Sequence, residues 1–312
     1  MAVTAAMVKE LREATGAGMM DCKKALTETD GNMDKAVEWL REKGLATAQK
    51  KASRIAAEGI VMLKVTDDAK KAVAVEVNSE TDFVAKNDKF QAYVAQVCEQ
   101  AMDSDTYDLD AFMAQPWKFE EGKSVADALA AQVAYIGENM KIRRLTGVCE
   151  ENGFVASYTH MGGKIGVLVD IVTDVVNDEI CEMGKNLAMQ VAALKPLYTT
   201  RDEISEEYIN HEKEILLAQI MNDPKESQKP QKVIDGMING RVSKELKEIC
   251  LMDQVYVKAE DGKQAVSNYV ASVAKANNAK ITVKGFVRWE TGEGLEKRQD
   301  DFAAEVAKQM GM

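Results

Sequence analysis

Histidine is almost missing from this sequence: His160 and His211 are the only two in 312 residues. That leaves little material for an imidazole-based triad, although His160 paired with a cysteine across the fold is a formal option. His211-Glu212 begins like a zinc-protease motif. Ile215 stands where its second histidine belongs, so that metal site cannot form. The five cysteines, Cys22, Cys98, Cys149, Cys181 and Cys250, contain no C-x-x-C pair. An odd number of widely spaced thiols fits reduced, mostly buried cysteines rather than disulfides or a metal centre. No metal and no cofactor are expected.

A phosphate-binding loop is missing as well. Gly122-Lys123-Ser124 has the right tail, but Trp117 occupies the place of the first glycine, and Gly163-Lys164 is followed by Ile165. No Gly-x-Ser-x-Gly elbow occurs. No apolar run approaches the roughly 18 residues of a membrane span. The first twelve residues mix polar and apolar side chains in helical fashion, unlike a secretory or transit peptide, so a cytoplasmic location is expected. Positive charge is in the minority: 40 Lys and Arg against 51 Asp and Glu, a net charge of −11. Such a surface repels phosphates on average, which argues against direct nucleic-acid binding. Lys50-Lys51 with Arg54 reads as a solvated helix face. The chain is expected to be no enzyme, to bind no membrane, and to act through its surfaces.

The residues present describe an α+β protein. Apolar residues make up 46% and charged residues 29%, enough for a real core, and the length suggests two or three units at roughly 100–200 residues each. Residues 1–45 read as three short helices forming a docking domain. Val8, Leu11 and Ala14 share a face before the Thr15-Gly16-Ala17-Gly18 break, and Cys22, Ala25 and Leu26 face inward on the second helix. Asn32 caps the third, in which Met33, Ala36, Val37 and Leu40 step by helical spacing until Gly44 stops it. A connector, 46–58, leads to a hairpin of strands over 60–65 and 72–77. A helix with Phe90, Val94, Val97 and Ala101 on one stripe follows, then another over 125–136 that ends at Gly137.

Strands over 143–149, 154–159 and 165–173 and a helix over 179–194 restart the pattern. Val73-Ala74-Val75-Glu76-Val77 and Val167-Leu168-Val169-Asp170-Ile171 occupy equivalent places, which suggests two related core subdomains, 59–140 and 141–199 joined by 251–290. Ile204, Tyr208, His211, Ile215 and Ala218 step by 4-3-4-3, a coiled-coil seam. A break at 222–230 then makes 200–250 an antiparallel hairpin; an ordinary helical pair inside the core fits the same spacing. Residues 291–312 read as a C-terminal helical module with Phe302, Val306 and Met310 on one stripe.

Two segments carry a family resemblance. Leu11-Arg12-Glu13-Ala14-Thr15-Gly16-Ala17-Gly18-Met19-Met20-Asp21-Cys22-Lys23-Lys24-Ala25-Leu26 closely resembles the N-terminal signature of the elongation factor Ts family. Glu76-Val77-Asn78-Ser79-Glu80-Thr81-Asp82-Phe83-Val84-Ala85-Lys86 resembles its second signature. Echoes at Ile136-Gly137-Glu138-Asn139, Arg143-Arg144, Gly166-Val167-Leu168-Val169 and 301–306 extend the match along the chain.

The resemblance implies a guanine nucleotide exchange factor that binds elongation factor Tu, GDP-bound and nucleotide-free, and promotes GDP release. A Tu-binding adaptor or chaperone without exchange activity is the alternative. It also implies site residues. Thr81, Asp82, Phe83 and Val84 would intrude beside the Mg²⁺ site of Tu. Arg12, Met19, Met20, Lys23 and His160 would dock, with Phe302 and Val306 of the last helix in support. Without the resemblance, Phe83 reads as a core aromatic after a strand and Asp82 as a helix cap. Gln190 stands where the family is expected to carry a second histidine.

Overall fold

The computed structural model describes residues 3–296. It opens with α1 (Ala5–Thr15), α2 (Met19–Glu28) and α3 (Met33–Lys51). Thr4 caps α1 by accepting from the Met7 N–H, and Asn32 caps α3 by accepting from the Lys35 N–H at 2.9 Å. Val8, Leu11, Cys22, Ala25, Leu26 and Ala36 form their small shared core. Ala14, expected on the inner face, is exposed. The buried stripe continues from Leu11 by four residues rather than three, to the half-buried Thr15, whose hydroxyl donates to the Leu11 carbonyl at 2.6 Å.

The chain then makes β1 (Glu58–Val65) and β2 (Lys71–Ser79), an antiparallel hairpin, followed by α4 (Asp82–Ala85), α5 (Asp88–Met102), α6 (Leu109–Ala114) and α7 (Val125–Ile136). Next comes β3 (Met140–Cys149), which pairs antiparallel with β2, so the sheet order is β1-β2-β3. Grouped by sequence with the segment that follows, β3 belongs to the first sheet, where it completes the second edge of β2. Every residue of β2 after Lys71 is buried. Val73, Val75 and Val77 pack against Phe90, Val94 and Val97 of α5, while the alternate side chains, Ala72 and Ala74, face a second sheet. That is why the strand reads as a nearly unbroken apolar run.

The second sheet is built from β4 (Gly153–His160), β5 (Ile165–Thr173) and, much later, β6 (Ile281–Glu290), in the order β4-β5-β6 and again antiparallel. Between β5 and β6 lie α8 (Asp178–Leu194), α9 (Glu206–Asn222), α10 (Gln231–Ile249) and α11 (Val266–Ala276). Val167, Val169 and Ile171 of β5 pack on Ile180, Met183 and Leu187 of α8, and Leu168 faces the first sheet with Val155. The sheets are also bonded directly: the Val61 N–H donates to the Gly163 carbonyl at 2.7 Å and the Val155 N–H to the Ala69 carbonyl at 2.8 Å.

Two further expectations change. Gly44 does not stop α3, which runs on to Lys51 and takes in half of the expected connector. Gly44 is buried against α7, where an added Cβ would meet the Ala130 carbonyl at 3.8 Å and the Ala134 methyl at 3.9 Å. Those are ordinary contact distances, so the position lies inside a continuous helix with room for a methyl group rather than at its end. The α9–α10 pair leaves the body at Tyr198 and returns beside it at Cys250. The Tyr208 hydroxyl donates to Glu245 at 3.1 Å, joining the start of α9 to the end of α10. Ile220, Ile234, Ile238, Val242 and Leu246 are buried between them, with Ile209 and Leu216 packed alongside. Of the expected seam, Ile204 is buried and Tyr208 packs, but His211, Ile215 and Ala218 are exposed. From Tyr208 the packed side runs to Leu216 and Ile220, in multiples of four residues, rather than by the 4-3 spacing that leads to His211, Ile215 and Ala218. No helix among the described residues is long and apolar enough to cross a membrane. The expected last helix, with Phe302 and Val306, lies outside the described residues.

Candidate functional site

Where β2 ends, the backbone turns sharply and is fastened at every step. The Ser79 hydroxyl donates to the Thr81 carbonyl at 3.0 Å. Thr81, not Asp82, caps the short helix α4, accepting from the Val84 N–H at 3.3 Å. Glu138 grips Thr81 with both oxygens, one accepting from its N–H at 3.0 Å and the other from its hydroxyl at 2.7 Å. Glu138 can reach because Gly137 ends α7 in the left-handed conformation (φ 88°), turning the chain back toward β2. Glu80 accepts from the Asn139 N–H at 2.6 Å and from Arg54 at 3.3 Å, while the Asn139 side chain donates to the Arg54 carbonyl at 2.7 Å.

The loop so held presents Phe83 with 82% of its surface in solvent. Val84 is turned back against the core of the first sheet. Asp82 is half-buried beside it, and its carboxyl is held below the usual range by Lys86, bonded at 2.6 Å, with Lys164 adding to the effect. Lys164, in the turn after β4, pairs with Glu58, which lies opposite Ser79 at the foot of this loop. His160 sits at the exposed end of that strand, its Nδ1 3.0 Å from the Tyr158 hydroxyl, and Met161 follows with 74% exposure.

Beneath the loop lies Glu76, fully buried in the strand that leads to it. A bulge in the β2–β3 pairing sets Glu76 opposite Arg144 and Val77 opposite Ile142, so Arg143 is the extra residue. Neighbours in a regular strand point to opposite faces, but here both arginines reach one carboxylate, Arg143 at 3.0 Å and Arg144 at 2.5 Å. Asn78 donates to it at 3.0 Å and the Gly292 N–H at 2.8 Å. Burial alone would raise this carboxyl's pKa. The Gly292 N–H, Asn78 and the two arginines outweigh burial and hold it below the usual carboxylate range. Gly292 adopts φ +71°, and a Cβ there would lie 2.0 Å from the Ala57 carbonyl, so only glycine brings that N–H to Glu76.

The remaining sequence-predicted residues stand on other elements. Arg12 and Lys23 are exposed on α1 and α2, and Met19 and Met20 project from the first turn of α2. Gln190 is fully buried in α8. It donates to Gln254 and to the Val255 carbonyl and accepts from the Val257 N–H, a set of bonds that ties α8 to the segment after α10. Sequence reasoning gave no role to Arg54, Glu76, Glu80, Glu138 or Asn139, although the Gly137-Glu138-Asn139 and Arg143-Arg144 echoes held the signal. A carboxylate directly after a helix-ending glycine, and two arginines in a strand, each need a partner.

Ser124 of the Gly122-Lys123-Ser124 run is occupied as the cap of α7, in a reciprocal box with Asp127. Burial pushes the Cys98 thiol up to about 12. His160 is bonded to a tyrosine and not to a cysteine. Among the described residues, no group of three or more His, Cys, Asp or Glu is placed to hold a metal ion. The tethered loop thus presents a bare aromatic tip, and Met19 and Met20 stand exposed on α2. The family model for elongation factor TS matches residues 80–293. Over 308 residues, 99% of both chains, the sequence is 50% identical to elongation factor Ts of Clostridioides difficile (strain 630) and 48% identical to that of Clostridium novyi (strain NT). It is 47% identical over 310 residues, again 99% of both, to elongation factor Ts of Halothermothrix orenii. The chain belongs to the elongation factor Ts family, and thus to the nucleotide exchange factors of translation elongation.

Proposed function

We propose that this chain promotes GDP release from elongation factor Tu by inserting Asp82 and Phe83, framed by Thr81 and Val84, beside the Mg²⁺–nucleotide site of Tu. Arg12, Met19, Met20, Lys23 and His160 dock against Tu, in its GDP-bound and nucleotide-free forms, and Phe302 and Val306 support the contact. The division of labour runs along the chain: a helical docking domain, a two-part core that carries the wedge, the α9–α10 hairpin, and a C-terminal module. The protein works in the cytoplasm without touching nucleic acid or membrane, and it changes a partner's affinity rather than catalysing bond chemistry.

One observation supports this reading above the others: Phe83 stands 82% exposed on a loop whose neighbours are all fastened. An exposed aromatic on a floppy loop pays an ordering cost when it is buried; a fastened one does not. Burying a phenylalanine is worth about 1.5–3 kcal/mol, and each tenfold in release needs about 1.4 kcal/mol. Phe83 therefore accounts for roughly one to two decades of acceleration. Loss of the Mg²⁺ contacts, which neutralise the phosphates, supplies more. By linkage, GDP must weaken binding of this protein to Tu by the factor through which the protein weakens GDP.

The test is release of a fluorescent GDP from Tu into excess unlabelled GDP. Strong acceleration at substoichiometric amounts of this protein is the expected result. Tight binding to Tu without acceleration would leave an adaptor or chaperone instead.

A further inference from the structure

Among the described residues, the exposed methionines are Met19, Met20, Met161 and Met221. Met102, Met140 and Met183 are buried in the cores, where oxidants do not reach. The exposed set is not scattered evenly. Met19 and Met20, 58% and 75% exposed, are adjacent on the first turn of α2, and Met161 follows His160 directly. The most accessible thioethers thus concentrate in segments assigned above to docking.

We propose that Met19 and Met20 form an oxidation-sensitive site, at which conversion of both thioethers to sulfoxides by hydrogen peroxide weakens docking and thereby slows exchange. The inference rests on the docking role given to these residues in the preceding section. In the reaction a sulfur lone pair attacks one peroxide oxygen and the O–O bond breaks. The sulfur gains that oxygen and loses two electrons, and the peroxide is reduced to water. Two thiols reverse the step, taking the oxygen away as water and leaving a disulfide. A flexible apolar side chain becomes polar, and its burial against a partner then costs desolvation of the new S–O dipole.

The neighbouring thiol does not compete. Cys22, one turn further along α2, is fully buried with its Sγ 3.6 Å from the Ala17 carbonyl, and burial raises its pKa away from the reactive thiolate. Oxidation at this end of the molecule therefore falls on sulfur that is apolar, exposed and at the interface. Cys149 and Cys181 are exposed elsewhere, so the test must tell thioether from thiol.

The full chain is treated with graded hydrogen peroxide, the excess is destroyed with catalase, and sulfoxides are located by peptide mass spectrometry. Affinity for nucleotide-free Tu is then measured. The expected result is oxidation of Met19 and Met20 ahead of the buried methionines, with affinity falling on the order of tenfold. Methionine sulfoxide reductases A and B with their thiol reductant restore it, whereas the thiol reductant alone, which reverses the cysteine products, does not. A Met19→Leu/Met20→Leu variant, compared before and after peroxide, shows no further loss. Full oxidation of both residues with unchanged affinity would overturn the inference, and so would an equal loss in the leucine variant. An unoxidised Met19→Asp/Met20→Asp variant separates the two readings. If it binds Tu as the parent does, the docking assignment itself fails. If it loses binding while the sulfoxide form does not, only the oxidation inference fails.

Discussion

The two sheets place an acid at the same point of their central strands and treat it differently. Glu76 on β2 and Asp170 on β5 each sit at a bulge, and in each the extra residue on the partner strand is a cation, Arg143 or Lys284. Glu76 receives donors from Arg143, Arg144, Asn78 and Gly292 and is held low. Asp170 has Lys284 at 3.5 Å, shared with Glu150 at 3.1 Å, and its Oδ1 is buried without a partner among the described residues. Burial, with Glu150 close by, holds its pKa above the ordinary value. The well-satisfied acid lies in the strand that runs directly into the wedge loop. The poorly satisfied one lies in a strand that leads to α8 and to no exposed aromatic. The Glu76 carboxylate itself is fully engaged beneath the Phe83 loop, although the Oδ1 of its neighbour Asn78 is buried without a partner among the described residues.

The largest expected effect breaks that contrast at its stronger member. Glu76→Ala leaves two arginines facing an empty buried site and should cost about 3–5 kcal/mol in urea unfolding. Asp170→Asn should change stability by less than about 1 kcal/mol. Equal losses would show that the two acids do the same job. Gly292→Ala comes next, with about 1–3 kcal/mol lost, because a Cβ at φ +71° collides with Ala57 and withdraws the N–H from Glu76.

Glu138→Ala tests the loop rather than its base. It frees both donors of Thr81, at a cost to stability of about 1 kcal/mol, and should slow GDP release about tenfold by letting Phe83 move. Unchanged release would mean that the tethers do not matter for exchange. The smallest effect is on the pH dependence. Glu76 binds its proton more weakly folded than unfolded, so its contribution is present above its ordinary value of 4.5 and is lost as pH falls through its lower folded value. Asp170 has the opposite sign, destabilising at neutral pH and recovering as pH falls through its raised folded value. Unfolding of Glu76→Gln from roughly pH 3 to 5 should therefore show a shallower acid loss than the parent, and Asp170→Asn a steeper one.

Much of this architecture was legible in residue spacing. The stripe on α5 and the bounds 125–136 of α7 follow from local periodicity and a terminating glycine. The equivalence of 73–77 and 167–171 placed Glu76 and Asp170 in register. Their partners were not legible, because Arg143 and Lys284 arrive from distant strands and reach the acids only through bulges. The sheet to which β3 belongs was hidden for the same reason: strand pairing is non-local. The register of α9 was lost because its packed side steps in multiples of four from Tyr208 to Leu216 and Ile220, not by the 4-3 spacing of a seam. Phe83 is the sharpest case. An aromatic after a buried strand reads as core, and only the family signature pointed outward; the tethers that keep it outward come from 137–139, more than fifty residues later.

The most direct test compares parent and Phe83→Ala in two assays on the same Tu preparation: the rate of GDP release, and the affinity for nucleotide-free Tu. The account predicts release slowed about 10–100-fold with a much smaller loss of affinity, because the docking residues are untouched. Equal losses in both would contradict the wedge and make Phe83 one more docking contact.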